Sequence, residues 1–312
     1  MVHGRNIEPY YSQGGPCANV LLKVLYDYQN EDEESNDGYD DFADQTENLF
    51  DDDDDDVSGV YNRGVSQSES VGSLAFDNLL VGSALTWGDL MRRMKDEMED
   101  QGYQQTPTLC TSRRFELNEP VGLVSPDFDP SRNRKFSVLI GCNYKGTEGP
   151  LQKSHEDICS IKDYITNVHG FPEDEESMIV LLDDQHHKAR KMNPTKNNIL
   201  QAFQKIAQKS QPGDAVFVQF SGHGGRVLDA NSESEVDCYD EVLLPCDYEQ
   251  NGTIPDTLVF KHLLAPMSQD VTVTIILDSA NTGFMCDMPY SWQTRHDKAE
   301  TRAKVSRCQN CE

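Results

Sequence analysis

The sequence predicts an α/β protein with a mainly parallel central sheet flanked by helices, and three observations carry that prediction. From Phe136 onward, short apolar runs of strand length alternate with segments of helical spacing, the order that a parallel sheet covered on both faces requires. Hydrophobic residues make up 37% of the 312, enough for a sizeable core in one large domain or two modest ones. Acids outnumber Lys and Arg by 54 to 27, a net charge of −27 that argues against a nucleic-acid partner.

The acidity is concentrated. Residues 31–56 hold 15 of the 54 acids, six of them consecutive at positions 51–56, with no Lys or Arg, so most of the stretch is expected to repel itself and stay disordered. Solubility is its simplest role, because loose calcium capture there lacks the fixed geometry of a tight site. No apolar run approaches the roughly 20 residues of a bilayer span, and the first ten residues lack a secretory apolar region. Nine cysteines, an odd number, fit reduced thiols in a cytoplasmic setting.

Taken in order, residues 18–26 form an apolar run that reads as a buried strand. Residues 84–102 place Leu85, Leu90, Met91, Met94 and Met98 at near-helical spacing, with Gly102 as the stop, and these Met side chains read as core rather than ligands. Residues 106–112 suit a short strand, and 118–134, with Pro120, Pro126 and Pro130, have a linker's composition. Strands follow at 136–143, 178–182, 215–220, 241–245 and 271–277, with helices at 151–168, 195–209 and 258–266; Pro194 stands just before the second helix. This divides the chain into 1–117 with an acidic insertion over 31–71, a linker 118–135, and 136–312. Arg132, Arg134 and Lys135 in the linker, with Arg295, Lys298 and Arg302 near the end, read as exposed basic residues and candidate cleavage points. Cys308 and Cys311 read as a frayed tail, and His186-His187 as loop rather than metal site.

Ligands of such sheets gather at the carboxyl ends of the strands. Two of those ends carry unusual residues. The strand 215–220 runs into Ser221-Gly222-His223-Gly224-Gly225, whose glycines let the chain turn tightly and put His223 on a tip. A lone turn histidine need do no chemistry. The strand 271–277, however, runs into Asp278-Ser279-Ala280-Asn281-Thr282-Gly283, and a third segment reads Gly141-Cys142-Asn143-Tyr144-Lys145-Gly146.

Together these resemble the metacaspases, caspase-like cysteine peptidases whose two motifs read Ser-Gly-His-Gly and Asp-Ser-Cys-His-Ser-Gly. Positions 223 and 280 lie 57 apart, close to the roughly 50 of caspase-type enzymes. Leu85-Thr86-Trp87, residues 102–109 and Asp44-Gln45-Thr46 are similar to the family's small-subunit region. Here that region comes first, as in the type III subgroup. The resemblance implies a caspase-like fold, polypeptide substrates cleaved after Arg or Lys, calcium dependence, and a monomer with no membrane or nucleic-acid partner.

The resemblance also implies roles. His223 would manage the proton, and the backbone N–H groups of Gly224 and of Ala280 would form the oxyanion hole. Ala280 stands where the family has its nucleophilic Cys, so the chain as written is expected to have no peptidase activity. Two explanations are open: a Cys-to-Ala change that traps the uncleaved enzyme, favoured because the base and glycines remain, or a natural pseudoenzyme, to which Asn281 and Thr282 point. An acidic calcium-binding protein is a further alternative of the second kind. Asp278, Ser221 and Asp157 match the family's cation pocket, with Asp27 and Asp44 as rivals to Asp157. Asp240, Asp256, Thr257 and Asp287 match its calcium-binding segments, and waters or carbonyls would complete the roughly six to eight oxygens calcium takes.

Overall fold

A computed structural model describes residues 16–40, 84–114, 116–189, 191–228, 239–280, 282–283, 285–286, 288–294 and 302–304. In chain order the elements are α1 (Pro16–Asp40), α2 (Trp87–Asp100), β1 (Thr108–Thr111), β2 (Lys135–Gly141), α3 (Ser154–Asn167), β3 (Met178–Leu182), α4 (Gln185–Ala189), α5 (Lys196–Lys209), β4 (Ala215–Ser221), β5 (Gly224–Leu228), β6 (Tyr239–Leu243), α6 (Tyr248–Asn251), β7 (Ile254–Pro255), α7 (Asp256–Val259), β8 (Thr272–Asp278), β9 (Tyr290–Gln293) and β10 (Arg302–Lys304). A π-helical turn, Phe260–Leu264, follows α7, so the expected 258–266 helix is a mixed one.

The central sheet has the order β3-β2-β4-β8 and every pairing in it is parallel. Its strands are apolar along nearly their whole length because both faces are covered. On one face Phe136, Val138, Ile140, Val216, Val218 and Phe220 pack with Ile199, Phe203 and Ile206 of α5. On the other, Leu139 and Phe217 pack with Ile158, Ile161 and Ile165 of α3. The predicted strand over 241–245 is real as β6, but it belongs to a separate antiparallel sheet, β5-β6-β7. A third sheet, β1-β9-β10, ties the N-terminal region to residues 290–293.

The predicted strand over 18–26 is instead the start of the 25-residue helix α1, which continues through the acidic residues 31–40. Ala18, Val20, Leu22 and Val24 are all buried, a spacing of two that imitates a strand. The cause is that α1 is covered on two sides. Ala18 and Leu22 pack on α3 and the central sheet, whereas Val20 and Val24 pack with Leu85, Leu90, Met94 and Met98. Two helical stripes, each of period four, interleave into an apparent period of two.

Helix α2 behaves as its sequence predicts. Thr86 caps its start by accepting the Asp89 N–H at 3.2 Å. At its end Gly102 takes φ +78, and the N–H groups of Gly102 and Tyr103 return to the carbonyls of Glu99 and Met98, which is the Schellman arrangement. Of the linker cations expected to be exposed, Arg132 and Arg134 are, and Lys135 is half-buried. Arg134 reaches the Asp214 carboxylate at 3.1 Å, and Lys135 bonds the His169 carbonyl at 2.5 Å and lies over the Phe128 ring. Arg302 lies in β10, while Arg295, Lys298, Cys308 and Cys311 are outside the described residues. No helix among the described residues is long and apolar enough to cross a membrane.

Candidate active site

The register of two strands builds the site. Parallel pairing sets Ser221 opposite Asp278, so the chain leaves the sheet in two adjacent tips with His223 and Ala280 each two residues past the pair. The tips touch. A side chain at Gly224 would start only 2.2 Å from the Ala280 carbonyl oxygen, and one at Gly222 only 2.7 Å from the Tyr144 hydroxyl. Glycine is therefore required at both by close approach. Ala280 is exposed and His223 half-buried, so the two tips face solvent between them.

His223 is held on three sides. Its backbone N–H donates to the Tyr144 hydroxyl at 2.9 Å, its ring stacks on that of Tyr144 with centroids 4.7 Å apart, and its Nε2 lies 2.7 Å from the Gly149 carbonyl. A carbonyl only accepts, so Nε2 carries the hydrogen and Nδ1 is the basic nitrogen. The Tyr144 hydroxyl in turn donates to the Leu244 carbonyl at 2.5 Å. Tyr144 itself is buried and has a left-handed backbone, φ +50.

The acids expected to form a pocket do converge. Ser221 donates to Asp157 at 2.9 Å, and Asp157, Ser221 and Asp278 are all buried. Asp278 accepts the Ala18 N–H at 2.8 Å and the Cys17 N–H at 3.4 Å, so the first turn of α1 lies directly on it. Burial pushes the Asp278 carboxyl up to about 7; the Ala18 N–H opposes this and the nearby Asp157 charge adds to it. Burial and then the charges of Asp278 and Asp157 push the Cys17 thiol well up. Of the rivals to Asp157, Asp27 is exposed on α1 and Asp44 is outside the described residues.

Two features were not read from the sequence. Asp183, at the end of β3, accepts the backbone N–H groups of Asn143 and Tyr144 at 2.8 and 2.6 Å and pairs with His155 at 2.5 Å. Gln219, on the same face of β4 as Ser221, is fully buried with neither amide atom partnered among the described residues. Position at a strand's carboxyl end is the one signal that pointed toward Asp183; nothing in the sequence pointed to Gln219.

The calcium expectation meets a partial fit. Carboxylate oxygens are the right chemistry; Asp240 lies within β6, and Asp256 starts α7 directly after β7, the strand paired with β6. One Asp256 oxygen accepts the Thr257 N–H at 2.5 Å. Asp287 is outside the described residues, and among the described residues no three metal-ligating side chains gather. The His186-His187 pair, expected in a loop, lies in the short helix α4, where His187 pairs with Asp184 at 2.9 Å and no third metal-ligating side chain joins them among the described residues.

Residues 135–289 match the family described as "Metacaspase, peptidase C14 domain". Among curated proteins, the chain is 34% identical over 231 residues to Metacaspase III c of Phaeodactylum tricornutum, covering 74% of this chain and 66% of that protein. It is 37% identical over 163 residues to Metacaspase-1 of Eremothecium gossypii, covering 52% of this chain and 35% of that one. To Metacaspase-1B of Aspergillus terreus it is 36% identical over 210 residues, covering 67% and 50%. The chain thus spans less than two thirds of the length of each of these relatives, 66%, 35% and 50%.

Proposed function

We propose that this chain, whose residues 135–289 match the metacaspase peptidase C14 domain, is built for calcium-dependent cleavage of polypeptides after Arg or Lys and lacks only its nucleophile. One observation carries the reading. The imidazole at His223, its Nε2 hydrogen fixed on Gly149, stands on a tip in contact with the tip that ends in exposed Ala280. With a thiol at 280, Nδ1 of His223 would take its proton, the thiolate would attack the scissile carbonyl, and the same nitrogen would protonate the leaving amine. Charge on the carbonyl oxygen would be met by the backbone N–H groups of Gly224 and of position 280.

Specificity for a cation follows from charge. Asp157 and Asp278 are two buried carboxylates with Ser221 between strand and helix, and an Arg or Lys side chain is the partner that would neutralise them. In that reading the N–H groups at the start of α1 occupy the cation's place and must yield to it. The order of the regions supports a type III arrangement, as does the name of the Phaeodactylum relative. Calcium, if bound, would be held by Asp240, Asp256, Thr257 and Asp287 and would supply the positive charge that balances these carboxylates. A monomeric cytoplasmic protein belongs to the same reading, the first from the resemblance and the second from the odd number of cysteines.

Ala280 itself favours a second reading, a catalytically dead protein that binds Arg or Lys peptides. Ala280→Cys separates the two. Calcium-stimulated cleavage of an Arg-containing peptide supports the peptidase; silence at every calcium concentration, with the peptide still bound, supports the binder. Calorimetric titration of the unmodified chain with calcium, against Asp256→Ala, tests the cation without reference to activity.

A further inference from the structure

We propose that Asp183 is a positioning residue for the reaction, acting on His223 through Tyr144. The proposal rests on the reading of His223 as the base.

The loop that follows β2 supplies almost everything that orients the imidazole. Tyr144 provides a stacked ring face and the acceptor for the His223 N–H, and Gly149 provides the acceptor for Nε2. That loop must turn sharply, and it does so with a bulky residue in the left-handed region, Tyr144 at φ +50. An L-residue holds that conformation only where its surroundings impose it. Asp183 imposes it here. Its two oxygens take the consecutive N–H groups of Asn143 and Tyr144, so the carboxylate spans the turn at the strained residue. The loop is closed further on by the Leu151 N–H on the Asn143 carbonyl at 2.8 Å and the Ser154 N–H on the Asn143 side chain at 3.0 Å.

Asp183 is itself fixed. His155, in the first turn of α3, donates Nε2–H to it, so three donors converge on one carboxylate. Burial alone would push this carboxyl up; the His155 bond and the two backbone N–H groups outweigh it and hold the group below the usual range. It is therefore ionised at neutral pH and a strong acceptor. At the other end of the tyrosine, the hydroxyl donates to the Leu244 carbonyl and lies close against Gly222, so the ring has no slack. A shift of the turn at Tyr144 is passed directly to the stacked imidazole. Asp183 touches neither substrate nor reacting atoms; its effect is on which nitrogen of His223 carries the hydrogen and where the ring lies.

The test reads that tautomer directly. Long-range ¹H–¹⁵N spectra of the unmodified chain, with His223 assigned through His223→Gln, should show the Nε2–H form in excess. Asp183→Asn keeps size but loses the anionic acceptor, and the ratio of the two neutral tautomers should fall at least about threefold, the scale of a small change in preference. Tyr144→Phe keeps ring and backbone, guards against an unfolded Asp183 variant, and should move the ratio the same way. Asp184→Asn, which removes the neighbouring carboxylate that pairs with His187 and bonds neither Asn143 nor Tyr144, should leave it unchanged. A folded Asp183→Asn or Tyr144→Phe chain with the parent ratio overturns the proposal. So does an equal shift in Asp184→Asn, which would mark a general loosening. None of these spectra requires cleavage, so they stand even where Ala280→Cys proves inert. Where it cleaves, adding Asp183→Asn should lower kcat by up to about 10²-fold at unchanged KM, the size expected of a misplaced catalytic group; a change in KM alone overturns the assignment.

Discussion

The two sides of the candidate site are held in opposite ways. His223 rests on neutral or fully satisfied partners, Tyr144, Gly149 and Leu244, all drawn from within residues 135–289 and ordered by short hydrogen bonds. The acid pocket across the strand ends holds two buried carboxylates, and the donors on Asp278 come from another region altogether, the first turn of α1. In the proposed reading, the His223 side serves proton transfer and is held by its own loop contacts. The other holds two buried acids, Asp157 bonded by Ser221 and Asp278 by the first N–H groups of α1, a helix end that answers negative charge only through partial charge. The difference teaches that the chemistry of this site is set locally, whereas access to its specificity pocket depends on how the N-terminal region is seated.

The sharpest way to break the comparison is Asp278→Asn. Removing one acid from a buried charged pocket should weaken binding of an Arg peptide to the unmodified chain by about 100-fold or more, about 3–5 kcal/mol, measurable by calorimetry. The same change should stabilise the free protein. A carboxyl with a folded pKa of about 7 against an ordinary 3.8 binds protons more readily when folded, so its contribution to stability falls as pH rises from about 4 to 7 and stays lost above that. The full cost is on the order of 4 kcal/mol. Urea titrations from pH 4 to 8 should show that slope in the parent and its loss in Asp278→Asn; parallel curves would mean that Asp278 is not buried as a charge. By contrast Leu22→Ala, which empties the contact of α1 with α3 and the sheet, should cost about 2–5 kcal/mol in the same titration.

The His223 side was more legible in the sequence than the pocket side, and the reason is physical. Strands β2, β3, β4 and β8 are largely apolar runs and β4 leads into a glycine-rich turn, a pattern that hydrophobic runs and turn chemistry report directly, so His223 and Ala280 were placed with their strands. Asp157 and Asp278 could be placed by motif, but the helix end over them could not. α1 shows two interleaved buried stripes that imitate a strand, because its partners α2 and α3 are distant in sequence and neither stripe is visible without the other's partner. Asp183 was missed for a similar reason: its role is to bind backbone N–H groups 40 and 39 residues earlier, and any Asp at a strand end looks like a solvated one until that loop is seen.

Gln219 gives the mildest test, and it bears on the pocket side. Its side chain is fully buried in β4, opposite Leu139 and Ile276 in register, with both amide atoms unpartnered among the described residues. An amide in that state pays its desolvation without a bond in return, about 1–3 kcal/mol. Met has nearly the same length and no such cost, so Gln219→Met should raise the urea midpoint by an amount of that order. The His223 side supplies the contrast, since there Tyr144→Phe strands the Leu244 carbonyl and should lower the midpoint by a similar amount. Opposite signs from two changes that each delete polar atoms would confirm that one side of the site is built from satisfied groups and the other is not. If Gln219→Met destabilises instead, the amide is bonded, and the pocket side is better compensated than its distances indicate.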